Sequence, residues 1–275
     1  MMTEYNKLSD VTLTMIVRDE LMNPAGGLHA VLSRHLPYFE NVVVLDTRSI
    51  DGTRQLLEQM AGEHRQLKVY DAKFEGYGPA RNRANSYVKT EYTLMLDADE
   101  LIGSPGPFTE EVKIALDFGP KKAALNVPIK TIFPSGKSLN LGGWNPRIFQ
   151  QRAARFRKKI WEEVAIDWEV QKVSKPSKYK GLKSNVYHLT PSTDDWIRKN
   201  EQWYSLLESR QGFLDRPRYQ GEAPSQKASY SSWKTPNQST LLKYGVDVRA
   251  EIVELERMGL RLHPEILERL AKTSP

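Results

Sequence analysis

Cysteine is absent from this chain of 275 residues, which excludes disulfides, zinc–thiolate centres and thiol catalysis. Nowhere does an apolar run approach the ~20 residues needed to span a bilayer, so no transmembrane segment is expected. The opening MMTEYNKLSD lacks the apolar stretch of a secretory signal. A cytoplasmic location is therefore expected, with peripheral membrane contact left open. Internal repeats are missing as well. Neither sign of charge dominates, since 40 Lys and Arg against 34 Asp and Glu leave a net +6. What is there is a globular composition, 39% hydrophobic and 27% charged, in a chain long enough to bury a large core.

The amino-terminal part alternates two periodicities. Val11 to Val17 is a β-branched run that ends at Arg18-Asp19-Glu20. Leu28, Val31, Leu32 and Leu36 recur at helical spacing. Val42-Val43-Val44-Leu45 is a short apolar strand ending at Asp46, and Asp51-Gly52-Thr53 opens a helix that contains Leu56, Leu57 and Met60. Leu67 to Tyr70 predicts a third strand and Tyr92 to Leu96 a fourth. Between them Pro79 occupies the first turn of a helix running to about Val88. Apolar strands alternating with helices predict an α/β fold, a Rossmann-like and mostly parallel sheet with helices on both faces.

Beyond Gly103 the pattern changes. Phe108 to Phe118 reads as a helix, Ala123 to Phe133 as a strand interrupted by Pro128, Trp144 to Gln150 and Ser184 to Leu189 as further strands. Asp194 to Phe213 is amphipathic and helical, residues 214–240 are rich in Pro, Gly, Ser and Gln and read as a loop or linker, and a helical tail follows with Val246, Ile252, Leu255, Met258, Ile266, Leu267 and Leu270 as its apolar positions. The expected organisation is an α/β half over 1–103, a second half of the same domain over 104–190, and a helical carboxyl-terminal extension over 191–275.

The chemistry-bearing residues cluster at strand ends. Tyr92 to Leu96 runs into Asp97-Ala98-Asp99-Glu100. On a strand, residues i and i+2 share a face, so Asp97 and Asp99 are expected to aim at one ligand. Carboxylates that close repel and are costly to bury unpaired. A hard divalent cation such as Mn2+ or Mg2+ offsets that cost, and a solvated acidic turn is the alternative. Glu20 and Asp46 also stand at strand ends, and ligands of parallel α/β sheets bind beyond the strands' carboxyl ends.

Four segments carry a resemblance: Val11 to Glu20, Val42 to Thr53, Phe74 to Ala84 with Arg81-Asn82, and Leu94 to Glu100. Together they resemble the nucleotide-sugar half of family 2 glycosyltransferases with the GT-A fold, most closely the branch containing lipopolysaccharide-core glucosyltransferases. The resemblance covers 11–102 well and 144–190 loosely. It implies a GT-A-type sheet and a metal-dependent, inverting transfer from a nucleotide-sugar donor, a nucleoside diphosphate sugar, to an acceptor hydroxyl. It implies that Glu20 and Asp46 contact the nucleoside, that Asp51 caps a helix, and that Arg81 pairs with the diphosphate or anchors Asp97. Asp97 would face the ribose or metal, Asp99 would be the main metal ligand, and Glu100 would sit beside the donor sugar or support the metal. Arg147 is a candidate for the diphosphate or acceptor, and His188 a candidate to complete the metal site or touch the phosphates.

Departures from the family's pattern matter too. Arg48 stands in place of a customary Gly, and Asp19 in place of a customary Asn. The usual His-Glu of the acceptor side is replaced by Trp161-Glu162, so Glu162, then Glu163 and Asp167, are the candidates for the general base. The missing His also keeps open a non-catalytic nucleotide-sugar binding module. Arg152, Arg155, Arg157, Lys158 and Lys159, followed by Lys172, Lys175, Lys178, Lys180 and Lys183, form a basic segment at 152–183 with Phe156, Trp161, Trp168 and Tyr179 interleaved. It suits a solvated surface, an anionic membrane surface, or a nucleic-acid acceptor such as hydroxymethylated DNA. A saccharide or lipid-linked glycan is the acceptor that the resemblance implies.

Overall fold

The structure is a computed structural model that describes residues 7–21, 23, 27–117, 124–132, 137–140, 146–157, 163–166, 182–189, 246–247 and 257. Strand β1 (Leu8–Val17) is followed by α1 (Leu28–His35) and a 3-10 turn over Leu36–Tyr38. Next come β2 (Phe39–Asp46), α2 (Thr53–Glu63), β3 (Leu67–Asp71), α3 (Tyr77–Ser86) and β4 (Tyr92–Met95). The chain continues through β5 (Glu100–Ile102), α4 (Pro105–Asp117), β6 (Ala124–Asn126), β7 (Ile129–Ile132) and β8 (Lys137–Asn140). The last elements are β9 (Pro146–Gln150), β10 (Ala154–Arg157), β11 (Glu163–Ile166), β12 (Val186–Leu189) and β13 (Val246–Asp247).

The central sheet runs in the order β3-β2-β1-β4-β9-β6. Its first four strands are parallel, and β9 is antiparallel to both β4 and β6. The fold is thus mixed α/β around a mostly parallel sheet. Period-two alternation decides which helix packs where. Val11, Leu13, Met15 and Val17 of β1, Val42 and Val44 of β2, and Leu94 of β4 join one cluster with Leu28 and Leu32 of α1, Leu57 of α2 and Phe108 of α4. Leu45 and Ile16 point to the opposite face, against Ala80 and Ala84 of α3 and Phe74. At ~25 cal/mol per Å2 of apolar surface removed from water, these two faces carry most of the stabilisation that positions the strand ends.

A second sheet, β13-β8-β7-β12-β5, begins where β4 ends. The strand expected over Ala123 to Phe133 is split into β6 and β7 around Val127–Pro128. Pro128 has no N–H to donate to a ladder, and its carbonyl accepts the Val186 amide at 2.9 Å, so the chain crosses from the first sheet to the second at that point. One expectation is corrected outright. Val246, assigned to the helical tail, lies in β13 and pairs with Ser138 of β8, where a β-branched residue meets an open strand edge. Asp194 to Phe213, residues 214–240 and the remaining tail positions lie outside the described residues.

Candidate functional site

Two clusters occupy the carboxyl edge of the sheet. The first joins the turns after β1 and β2. Asp46 accepts both the Ser49 amide at 3.0 Å and the Ser49 hydroxyl at 2.6 Å. Asp19 accepts the Ile50 amide at 2.8 Å, and its own amide donates to Ser49 Oγ at 2.9 Å. The Glu20 amide donates to Thr53 Oγ1 at 2.8 Å, and the Glu20 carboxylate accepts from Asn23 at 2.8 Å. Asp51 accepts the Thr53 amide at 2.9 Å and so tends the start of α2, as its capping role required. This mesh holds two non-glycine residues in left-handed backbone, Asp19 at φ 53° and Arg48 at φ 67°. Asp46 is buried, and that burial pushes its carboxyl above the usual carboxylate range against the pull of the Ser49 hydrogen bonds.

The second cluster forms where β4 gives way to β5. The strand ends at Met95, one residue earlier than expected, although the Leu96 amide still reaches Thr14 O at 3.1 Å. Asp97 to Glu100 then make a tight turn, closed by the Glu100 amide on Asp97 O and the Asp97 amide on Glu100 Oε2, both 3.0 Å. Asp97 and Asp99 therefore do not share a strand face as i and i+2; the turn gives each its own partners. Arg81, from α3, donates to Asp97 Oδ1. Arg147, from β9, donates to Glu100 Oε1 and lies 4.0 Å from Asp97 Oδ2. His188 on β12 is the cross-strand partner of Glu100, and its Nε2 lies 3.8 Å from Asp99 Oδ2.

Burial and charge separate these carboxylates. Burial alone would raise the Asp97 carboxyl, but Arg81 and Arg147, the Arg81 hydrogen bond and His188 together hold it far below the usual range. Its side chain is 38% exposed while the Arg81 guanidinium behind it is 4% exposed, so a permanently charged carboxylate is presented from a fixed base. Glu100 is almost wholly buried, which pushes its carboxyl upward against the opposing pull of Arg147. Arg147 is the one charged residue in the buried strand Pro146–Gln150; its Nη2 is paired with Glu100 while its buried Nε has no hydrogen-bond partner.

The structure thus brings Arg81, Asp97, Asp99, Glu100, Arg147 and His188 into one cluster, and Glu20 and Asp46 into another. Asp46 ends β2, two strands across the sheet from β4, about 10 Å away at the usual strand spacing. Glu163 opens β11 opposite Arg157 in register; it stands on a strand, not on a helix surface. Glu162, Asp167, Trp144 and Asn145 lie outside the described residues. Sequence reasoning missed the anchoring role of Asn82. Its side chain donates to Phe156 O at 2.8 Å and accepts the Phe156 amide at 2.9 Å, tying α3 to β10. An amide beside Arg81 was the available signal.

A divalent cation fits part of this donor set. Among the described residues no three His, Asp or Glu side chains are grouped to hold a metal by themselves. Asp99 and His188 lie 3.8 Å apart. Two protein donors suit a cation that takes its other ligands from phosphate oxygens and water, the usual manner of Mg2+.

Residues 25–112 match the family described as glycosyl transferase family 2. The matched segment contains Asp46, Arg81, Asp97, Asp99 and Glu100, and ends before Arg147 and His188. Among solved structures, the chain is similar to TarS of S. aureus at 15% identity and a TM-score of 0.43, over 75% of this chain and 40% of that one. It is similar to TarS 1–349 in complex with UDP-GlcNAc at 15% identity and a TM-score of 0.43, over 66% and 59% of the two chains. It is also similar to the mannosyltransferase PcManGT from Pyrobaculum calidifontis, in complex with GDP-Man and Mn2+, at 17% identity and a TM-score of 0.46, over 78% and 66%. The chain spans well under half the length of TarS. Likenesses this distant assign no residue a role.

Proposed function

We propose that the chain is a metal-dependent, inverting glycosyltransferase that moves a sugar from a nucleoside diphosphate sugar to an acceptor hydroxyl on a saccharide or lipid-linked glycan. The observation that carries the donor half is the convergence of Asp97, Asp99 and Glu100 with Arg81, Arg147 and His188 at the carboxyl edge of the sheet. Asp99 and His188 are the residues that would hold Mn2+ or Mg2+. When bound, the cation stabilises the charge that gathers on the departing diphosphate.

The protein's own groups divide the remaining work. Asp97, kept ionised by Arg81 and Arg147, accepts hydrogen bonds from ribose hydroxyls at the strand end. Glu100 and Arg147 neutralise one another behind it, so that the turn keeps its shape without drawing on solvent. Asp46 and Glu20, some 10 Å across the sheet, lie where a nucleoside extending from that diphosphate reaches. On the acceptor side, Glu162, Glu163 and Asp167 are the candidates to take the hydroxyl proton in a one-step displacement.

The test is release of nucleoside diphosphate from a panel of nucleotide sugars with and without Mn2+, for the native chain and Asp99→Ala. Metal-dependent release that falls at least a hundredfold, of the order seen when one charge-stabilising group is removed, supports the reading and rejects a non-catalytic binding module. No release with any donor, acceptors included, would overturn it.

A further inference from the structure

We propose that the arginine-lined seam where α3 lies against β10 is a docking surface for an anionic lipid bilayer. Two reciprocal hydrogen-bond pairs build the seam. Asn82 exchanges bonds with the Phe156 backbone at 2.8 and 2.9 Å. One helical turn on, Asn85 donates to Gln151 O and Gln151 donates to Asn85 O, both at 3.0 Å. Beside three of these four stand exposed cations: Arg83 beside Asn82, Arg155 and Arg157 on either side of Phe156, and Arg152 beside Gln151. Alternation along β10 explains the arrangement, since Ala154 and Phe156 turn inward while Arg155 and Arg157 turn outward. On α3, Arg81 is buried at the donor cluster and Arg83, roughly 200° around the helix, is exposed.

None of these four arginines forms an ion pair among the described residues. Arg155 caps the neighbouring Ala154 carbonyl at 2.9 Å, and Arg83 lies over the Tyr87 ring at 5.1 Å; neither contact neutralises charge. Glu163 faces Arg157 across the β10–β11 pair, Asp71 and Glu75 lie across a cavity of about 550 Å3 that Arg83 also lines, and Glu91 lies beyond Gln150, so the four arginines outnumber the carboxylates only locally, around Arg155 and Arg152. Positive charge is thus collected on one helix edge and one strand face, in two dimensions.

The aromatic side chains decide between a bilayer and a nucleic acid. Binding of splayed bases needs exposed ring faces. Here Tyr87 is stacked on Tyr70 at 3.7 Å with an interplanar angle of 3° and is overlain by Arg83, while Phe156 is buried and set edge-on to Phe149 at 5.4 Å. No ring is offered. The large exposed apolar side chains, Leu21, Ile50 and Ile114, belong to other elements, so nothing on the seam inserts into hydrocarbon. Contact by charge alone, spread over a surface, matches a layer of anionic headgroups, where each arginine contributes about fivefold to partitioning.

The experiment is co-sedimentation of the full chain with vesicles of phosphatidylcholine alone and of phosphatidylcholine with about a third phosphatidylserine, without nucleotide sugar and across a salt series. The native chain is expected to bind only the phosphatidylserine vesicles and to be released by salt. Arg83→Gln/Arg155→Gln/Arg157→Gln is expected to lose about a hundredfold while keeping its circular dichroism, its melting temperature and its rate on a soluble acceptor. Equal binding to both vesicle types, no binding, or unchanged binding by the variant would overturn the proposal. So would tighter binding to duplex DNA than to phosphatidylserine at the same salt, lost in the same variant. Because no donor is present, the result is independent of the glycosyl-transfer reading.

Discussion

Acid should loosen the strand that carries Glu100, through a histidine that takes no part in the cluster around Asp97. His35, at the end of α1, is fully buried, and its Nε2 accepts the Ile102 amide of β5 at 3.1 Å. Arg34 brackets the same strand by donating to Gly103 O at 2.6 Å. A proton on His35 would sit against a donor, in a dry site, beside a guanidinium. Burial and then Arg34 accordingly push its pKa down to about 3, from about 6.5 in an unfolded chain. The folded pKa is depressed, so the native state keeps the ring neutral while the unfolded state gains a proton as pH falls. The associated stability is fully present above pH ~6.5 and is lost progressively toward pH ~3. Between pH 7 and pH 5 the loss is about 2 kcal/mol. Chemical denaturation at those two pH values, compared for the native chain and His35→Gln, measures it. Glutamine offers an oxygen to the Ile102 amide and has no proton to gain, so its profile should be flatter by about 2 kcal/mol. Parallel profiles would refute the reasoning, whatever the absolute stabilities.

Two further predictions follow from the site's construction. Arg147→Met should destabilise the fold by about 3 kcal/mol, because Glu100 loses the cation that offsets its burial. Arg147→Met/Glu100→Met should recover most of that, and additive losses in the double variant would show that the pair is not coupled. Arg48→Gly should raise stability by up to about 1 kcal/mol, since the left-handed backbone at φ 67° costs an L-residue and not glycine. A fall in melting temperature would mean that the Arg48 side chain itself holds the turn.

Much of the fold was legible because it depends on local pattern. Valine-rich runs at Val11 and Val42 became parallel neighbours, and Asp51 marked the start of α2 through a bond only two residues long. Val246 was misread since its partner, Ser138, is remote in sequence and an apolar residue in a tail with helical spacing says nothing of a free strand edge. The site divides in the same way. Asp97, Asp99 and Glu100 were conspicuous as a triplet at a strand end, yet the shared face expected of Asp97 and Asp99 gave way to a turn closed between Asp97 and Glu100.

By itself the amino-acid sequence determined the alternating architecture and the placement of carboxylates at the strand tips, because both follow from spacings of a few residues. Only the tertiary structure decided which side chain each carboxylate faces. Arg81 lies 16 residues from Asp97 and Arg147 lies 47 residues from Glu100, and His188 reaches Asp99 from another strand. Those pairings are made by the packing of α3, β9 and β12 around one turn. They leave Asp97 locked as a charged anchor and Asp99 beside an imidazole, a distinction that no spacing within Asp97-Ala98-Asp99 encodes.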